Sequence, residues 1–259
     1  MKLELWVNYN CNYNCNYCGF SKNKYTTNNL KNLEKIIIDK KFESIDMLGG
    51  EPFLYENIKN LIIRLLKLNI PINIYTNLSD TSFLKIKELQ KIIQTDLIYI
   101  HCSFHPSHEK LENFVNKFKE LKNLNYQINS VYMFDNNFTY LKNKIIFLKL
   151  KKEISDILIH LVYHNTKDII YFKNNLLNDN ILKKDLIMDI ENLGNTRICN
   201  FHKNILVYDL KEDKIFYCTK NLLNFRLGVP SKIEEIENET LKCSENCYCD
   251  TDYIMEIIN

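Results

Sequence analysis

The chain has 259 residues, with 34 basic and 32 acidic side chains and a formal charge of +2. That length can bury one full domain and a small appendage, while the near-neutral balance argues against a nucleic-acid binder or an acidic-membrane binder. No apolar run approaches the ~20 residues of a membrane span, and the opening Met1-Lys2-Leu3-Glu4 lacks the apolar stretch of a signal peptide, so a reducing cytoplasmic location is expected.

In chain order, short apolar runs at 3–7, 44–48, 70–76, 97–103, 126–133 and 156–162 read as strands. Between them, segments 30–40, 55–68, 82–94, 109–124 and 138–153 carry apolar residues every three to four positions and read as helices. Repeated β-α units predict a parallel sheet covered by helices. Alternation along the third strand puts Asn73, Tyr75 and Asn77 on one face and Ile72, Ile74 and Thr76 on the other. The fourth repeats this, with Tyr99, His101, Ser103 and His105 opposite Ile98, Ile100 and Cys102. In a curled sheet the polar face lines the cavity and suits a hydroxylated or amide-bearing substrate. Cys102, on the helix-facing side, is expected to be a core thiol. A lysine- and asparagine-rich helical connection follows at 166–198. Segments 205–210 and 214–218 then form a hairpin across Lys211-Glu212-Asp213, and a short helix is expected near 231–237.

The chain has nine cysteines, an odd number without an export signal, and their clustering points to metal rather than disulfides. Cys11, Cys15 and Cys18 form a C-x3-C-x2-C triplet directly after the first strand, and Gly49-Gly50-Glu51-Pro52 follows the second. Three thiolates can bind three corners of a [4Fe-4S] cube and leave one iron open for chemistry. A zinc site is the alternative, with His101 or His105 as fourth ligand. The Gly-Gly-Glu-Pro turn weighs against it, because glycines let backbone approach a ligand closely.

Triplet and turn together resemble the radical S-adenosylmethionine (SAM) enzymes. The resemblance implies a partial (β/α)6 TIM-like barrel over 1–165, in which SAM chelates the open iron of the cluster on Cys11, Cys15 and Cys18. It further implies that the Gly49, Gly50, Glu51 and Pro52 turn meets the methionine ammonium. By the same resemblance Asn77 reaches the ribose or the carboxylate, Ser103 reaches the ribose, and Tyr17 lies beside the adenine.

Cys199, Cys218, Cys243, Cys247 and Cys249 form a second constellation. Five thiols suit one fully ligated auxiliary [4Fe-4S] cluster with one left over, or a four-cysteine zinc knuckle. Segment 199–259 resembles the twitch appendage, a shorter relative of the SPASM extension: a small β-hairpin and helix that hold a cluster. The family usually has glycine five residues before the second cysteine of this set. Asp213 stands there and tolerates left-handed geometry better than most residues.

The resemblance implies reductive cleavage of SAM to a 5′-deoxyadenosyl radical that abstracts hydrogen from substrate. Its reductant is expected to be of the flavodoxin or ferredoxin type, and the chemistry to be anaerobic. The preferred expectation is oxidation of a small sugar- or cyclitol-like molecule, with the auxiliary cluster as electron acceptor. Proton acceptors would then be sought among His101, His105, His160 and His164, since histidine titrates near neutrality. The alternative is a peptide maturase that installs a cross-link or an epimerisation. A redox-sensing cluster protein without a SAM pocket is a third reading, and Glu51 argues against it.

Overall fold

The computed structural model describes residues 1–15, 18, 30–122, 126–134, 137–161, 166–176, 178–186, 197–199, 205–211, 213–216, 233–236, 240–243 and 254–257. Six β-α units build its larger part. Strands β1 (Lys2–Asn8), β2 (Ser44–Gly49), β3 (Ile72–Thr76), β4 (Ile98–Phe104), β5 (Gln127–Phe134) and β6 (Leu158–Leu161) run parallel in the order of the chain. Helices α1 (Lys31–Lys40), α2 (Ile58–Leu66), α3 (Asp80–Ile92), α4 (Leu111–Leu121) and α5 (Tyr140–Glu153) connect them, and α6 (Thr166–Leu176) and α7 (Asn180–Lys183) follow. This is the expected α/β fold, a parallel sheet of six strands that resembles a partial (β/α)6 barrel. Among the described residues no helix is long and apolar enough to cross a membrane.

The core lies between the outer face of the sheet and the helices. Ile72 and Ile74 on β3, and Ile98, Ile100 and Cys102 on β4, are fully buried there, and burial pushes the Cys102 thiol pKa up. Helix α2 meets them with Ile58, Leu61, Ile62 and Leu65, spaced to share one helical face. Helix α4 uses Phe114, Val115, Phe118 and Leu121 in the same way. The opposite face is half-open: Asn73, Tyr75, Tyr99, His101 and Ser103 alternate with the buried residues as the period of two requires.

Helices α3, α5 and α7 start on side-chain caps, whereas Asn57 before α2 makes none. Ser79 accepts from Ser82 N at 3.4 Å on α3, and Thr139 accepts from Lys142 N at 3.2 Å on α5. Asp179 caps α7 through Ile181 N and Leu182 N, at 3.0 and 3.2 Å, and pairs with Lys144 and Tyr140. Although burial works against it, these donors hold the Asp179 carboxyl down at about 2. A depressed pKa contributes stability above the unfolded value of about 4, lost as pH falls through about 2. Asp179→Ala is therefore expected to cost about 1 kcal/mol at neutral pH. It should also flatten the fall in stability between about pH 4 and 2. Urea unfolding followed across that window checks both.

The C-terminal part departs from expectation in two places. The hairpin forms, as β8 (Ile205–Asp209) and β9 (Lys214–Phe216), with Asp213 at φ 55°. It does not stand apart from the barrel: β8 lies parallel to β1, with Glu4 opposite Val207 and Trp6 opposite Asp209, and extends the sheet to eight strands. Second, the helix expected at 231–237 is a strand, β10 (Ile233–Ile236), turning back into β11 (Thr240–Cys243) with Ile236 opposite Thr240. The Ile-Glu-Glu-Ile spacing mimics a helical turn. An antiparallel partner and β-branched isoleucines decide for the pleated form. Strands β7 (Arg197–Cys199) and β12 (Ile254–Ile257) complete this four-stranded antiparallel sheet, in the order β10-β11-β7-β12.

Candidate active site

Four strand ends meet at the C-terminal edge of the sheet, where ligands of parallel α/β proteins collect. From β1 comes the loop bearing Cys11 and Cys15, from β2 the Gly49-Gly50-Glu51-Pro52 turn, from β3 Asn77, and from β4 His105. Two backbone bonds join the first two: Gly50 N donates to Asn8 O at 3.0 Å, and Glu51 N donates to Asn10 O at 2.8 Å. The approach is so close that a Cβ on Gly49 would lie 2.4 Å from Asn8 O, and one on Gly50 2.4 Å from Asn10 O. Gly49 also has φ +151°, which side chains rarely adopt. The glycine pair is thus required by the exit of β1 toward its cysteines.

Glu51 is fully buried, and its side chain faces the protein. Its Oε1 accepts from Phe53 N at 3.1 Å and Thr76 Oγ1 at 2.9 Å, and its Oε2 accepts from Asn77 N at 2.8 Å. Asn8 Nδ2 donates to the Glu51 carbonyl at 2.9 Å. Burial raises the carboxyl pKa, while its donors oppose the shift. Pro52 opens a short 3-10 turn, Pro52–Leu54, in which Phe53 is buried. Glu51 thereby clamps the β2 turn to the end of β3.

Asn77 and His105 reach the cysteine loop. Asn77 Nδ2 lies 2.9 Å from Asn12 Oδ1 and 3.6 Å from Cys11 Sγ, and its Oδ1 accepts from Ser79 N at 3.0 Å. Cys11 Sγ also accepts from Tyr13 N at 3.4 Å. His105 Nδ1 is 3.6 Å from Cys15 Sγ. Its ring meets that of Tyr13 edge-on at 5.6 Å, and Tyr13 stacks on His108 at 4.9 Å. Burial, then the neighbouring His108 and His160, hold the His105 pKa down at about 3. Cys18 is exposed, and its N–H donates to Cys15 O at 3.0 Å.

These donors fit a [4Fe-4S] cluster. Among the described residues no three His, Cys, Asp or Glu converge as ligands of a single ion would. A cubane asks for something else: each thiolate takes a different iron, and N–H groups point at the sulfurs.

Further along the inner face, Asn73 Nδ2 donates to Asp46 Oδ1, and His101 Nε2 lies 3.5 Å from Asn73 Oδ1. The His101 ring stacks on Tyr75 at 4.5 Å, and burial holds its pKa down at about 4. Burial also raises the Asp46 pKa, against its bond to Asn73 and the charge of Lys2. Ser103 and His160 lie on the same face, Ser103 opposite Val131 and His160 opposite Met133. The four strand ends bring together Cys11, Cys15, the glycine turn, Asn77 and His105, whereas His101 sits lower in the sheet. Tyr17, His164, Cys218, Cys247 and Cys249 lie outside the described residues, as do the side chains of Cys199 and Cys243.

Asn8, Thr76, Tyr9 and Asp46 were not anticipated. Asn8 closes an apolar strand and Asp46 interrupts one, so each was a signal that went unused. Thr76 counted only as a helix-facing residue. Tyr9 Oη donates to Asp209 Oδ2 at 2.8 Å, with both residues buried. That bond ties the β8–β9 hairpin to the entrance of the cysteine loop, a pairing across the whole chain that no local pattern announces.

Residues 7–109, the segment from β1 to just past β4, match the model of the Radical SAM superfamily. No curated protein matches the chain. Among solved structures, Streptococcus suis SuiB bound to precursor peptide SuiA is similar, with TM-score 0.62 and 14% identity over 88% of this chain and 61% of that one. SuiB bound to S-adenosylmethionine gives TM-score 0.59 and 15% identity over 84% and 60%. Native anSMEcpe with bound AdoMet and Kp18Cys peptide gives TM-score 0.56 and 15% identity over 84% and 74%. The chain thus spans 60–61% of the SuiB chains, and at these identities the likeness is one of fold.

Proposed function

We propose that this chain is a radical SAM enzyme acting on a peptide substrate. The observation that carries the radical SAM part is the joining of the cysteine loop to the Gly-Gly-Glu turn and the end of β3, inside a domain that matches the family. Cys11, Cys15 and Cys18 would hold the cluster, which with SAM supplies a carbon radical able to take hydrogen from an unactivated C–H. The backbone of Gly49, Gly50 and Glu51 would receive the methionine end of SAM, while the buried Glu51 carboxylate keeps that backbone in place. Ser103, higher on β4 than His101, would face the nucleoside.

The peptide part is supported by the similar structures, in which SuiB carries the precursor peptide SuiA and anSMEcpe carries a peptide. The sugar- or cyclitol-like substrate expected from the polar inner face gains no such support. Asn73, Tyr75, Tyr99 and His101 can meet peptide amides as readily as hydroxyls. We further propose an auxiliary [4Fe-4S] cluster on four of Cys199, Cys218, Cys243, Cys247 and Cys249. The backbone register supports it, since Cys199 lies opposite Leu241, two residues from Cys243 on the neighbouring strand.

The test is 5′-deoxyadenosine formed by the anaerobically reconstituted, reduced protein, with peptide and small-molecule fractions of a host lysate. Stimulation by the peptide fraction is expected. Stimulation by the small-molecule fraction alone would defeat the peptide reading. No SAM cleavage at all, with the cluster intact, would defeat the enzymatic one.

A further inference from the structure

We propose that His105 donates an N–H···S hydrogen bond to the Cys15 thiolate and so raises the reduction potential of the cluster held by the cysteine loop. The inference rests on the radical SAM reading only for the presence of that cluster. His105 Nδ1 lies 3.6 Å from Cys15 Sγ, within reach of a hydrogen bond to sulfur. A thiolate bound to iron has no proton and can only accept. The imidazole must therefore supply the hydrogen, which fixes the tautomer as Nδ1–H.

The ring is placed from several sides. His108 N and Glu109 N both donate to His105 O, at 2.9 and 3.1 Å, and close the turn that follows β4. Tyr13, from the cysteine loop itself, packs edge-on against the imidazole. Cys11 has its own donors in Tyr13 N and Asn77 Nδ2. Two of the three thiolates thus meet N–H groups, and His105 is the one contributed by β4.

The consequence follows from charge. Reduction adds an electron to a cluster that is already electron-rich, and N–H dipoles aimed at its sulfurs stabilise the added charge. Removing a donor makes the reduced state harder to reach, so a given reductant leaves less of it. His105 is in this view a positioning and tuning residue rather than a proton acceptor for substrate.

The experiment is an EPR-monitored redox titration of the reconstituted full chain, following the signal that changes when SAM is added. That change marks the cluster with the open iron. His105→Leu removes the donor, whereas His105→Asn keeps an N–H group near the Nδ1 position. The leucine variant is expected to show about a tenfold lower reduced-to-oxidised ratio at a fixed solution potential, equivalent to about 59 mV. The asparagine variant should recover most of it. A potential in His105→Leu equal to the wild type, at full cluster occupancy, would overturn the assignment.

If the leucine variant fails to take up a cluster, pulsed EPR of the reduced wild type labelled with 15N at histidine Nδ1 decides instead. A weak nitrogen coupling to the SAM-responsive cluster is expected, and its absence overturns the hydrogen bond. A wild type with no SAM-responsive cluster overturns the radical SAM reading itself, a result distinct from either outcome above.

Discussion

Gly50→Ala is expected to strip the N-terminal site of most of its iron and to lower SAM cleavage by about a hundredfold or more. The added methyl would sit 2.4 Å from Asn10 O, 2.7 Å from Asn10 C and 2.8 Å from Tyr9 C. All three are backbone atoms, so no rotamer change relieves the overlap. An ordinary contact needs about 1 Å more. The β2 turn and the chain leading into Cys11 must therefore separate, and a misplacement of that size is enough to disable a reacting centre. The sheet below is untouched, because Ile45 and Met47 stay packed under β1 and β3. Far-UV circular dichroism should then remain near wild type while iron per chain and 5′-deoxyadenosine fall. A variant that keeps its cluster and its turnover would show that the close approach is not needed.

Glu51→Ala should act on stability as well as on the site. Three donors, Phe53 N, Thr76 Oγ1 and Asn77 N, converge on this carboxylate in a place closed to water. Removing the acceptor leaves them buried without it, at a cost of about 3 kcal/mol or more. Glu51→Gln is no remedy. Both oxygens accept, so the amide nitrogen faces an N–H or O–H donor whichever way it is turned. Asn77 is held through its backbone N–H by Glu51, and its side chain meets Asn12 and Cys11. Loosening of Glu51 is therefore expected to reach the cysteine loop and to lower cluster uptake. Denaturant unfolding of the apo chain measures the first effect and iron content the second. Wild-type unfolding in Glu51→Ala would mean that the clamp contributes nothing.

Much of this was legible from local chemistry. Strands of the barrel could be placed because apolar residues such as Ile72, Ile74, Ile98 and Ile100 alternate with polar ones, and a period of two has one structural meaning. The helices followed from spacings like that of Ile58, Leu61, Ile62 and Leu65. At the site, Cys11, Cys15 and Cys18 stood out because three thiols at such close intervals read as metal ligands. The role expected of Glu51 was only half legible. A carboxylate beside two glycines reads as a ligand-binding group, whereas its bonds run to Thr76 and Asn77, more than twenty positions away.

By itself, then, the sequence determined the order of the β-α units, which face of β3 and of β4 is polar, the cysteine triplet and the left-handed turn at Asp213. Each of these depends on neighbours within a few residues, where periodicity, thiol chemistry and backbone sterics act. Only the tertiary structure decided that the 205–216 hairpin joins β1 and is tied through Asp209 to Tyr9, and that Ile233–Ile236 is a strand. It likewise decided that His105 meets Cys15. Strand pairing and contacts to sulfur depend on which distant segment arrives opposite, and local composition carries no record of that.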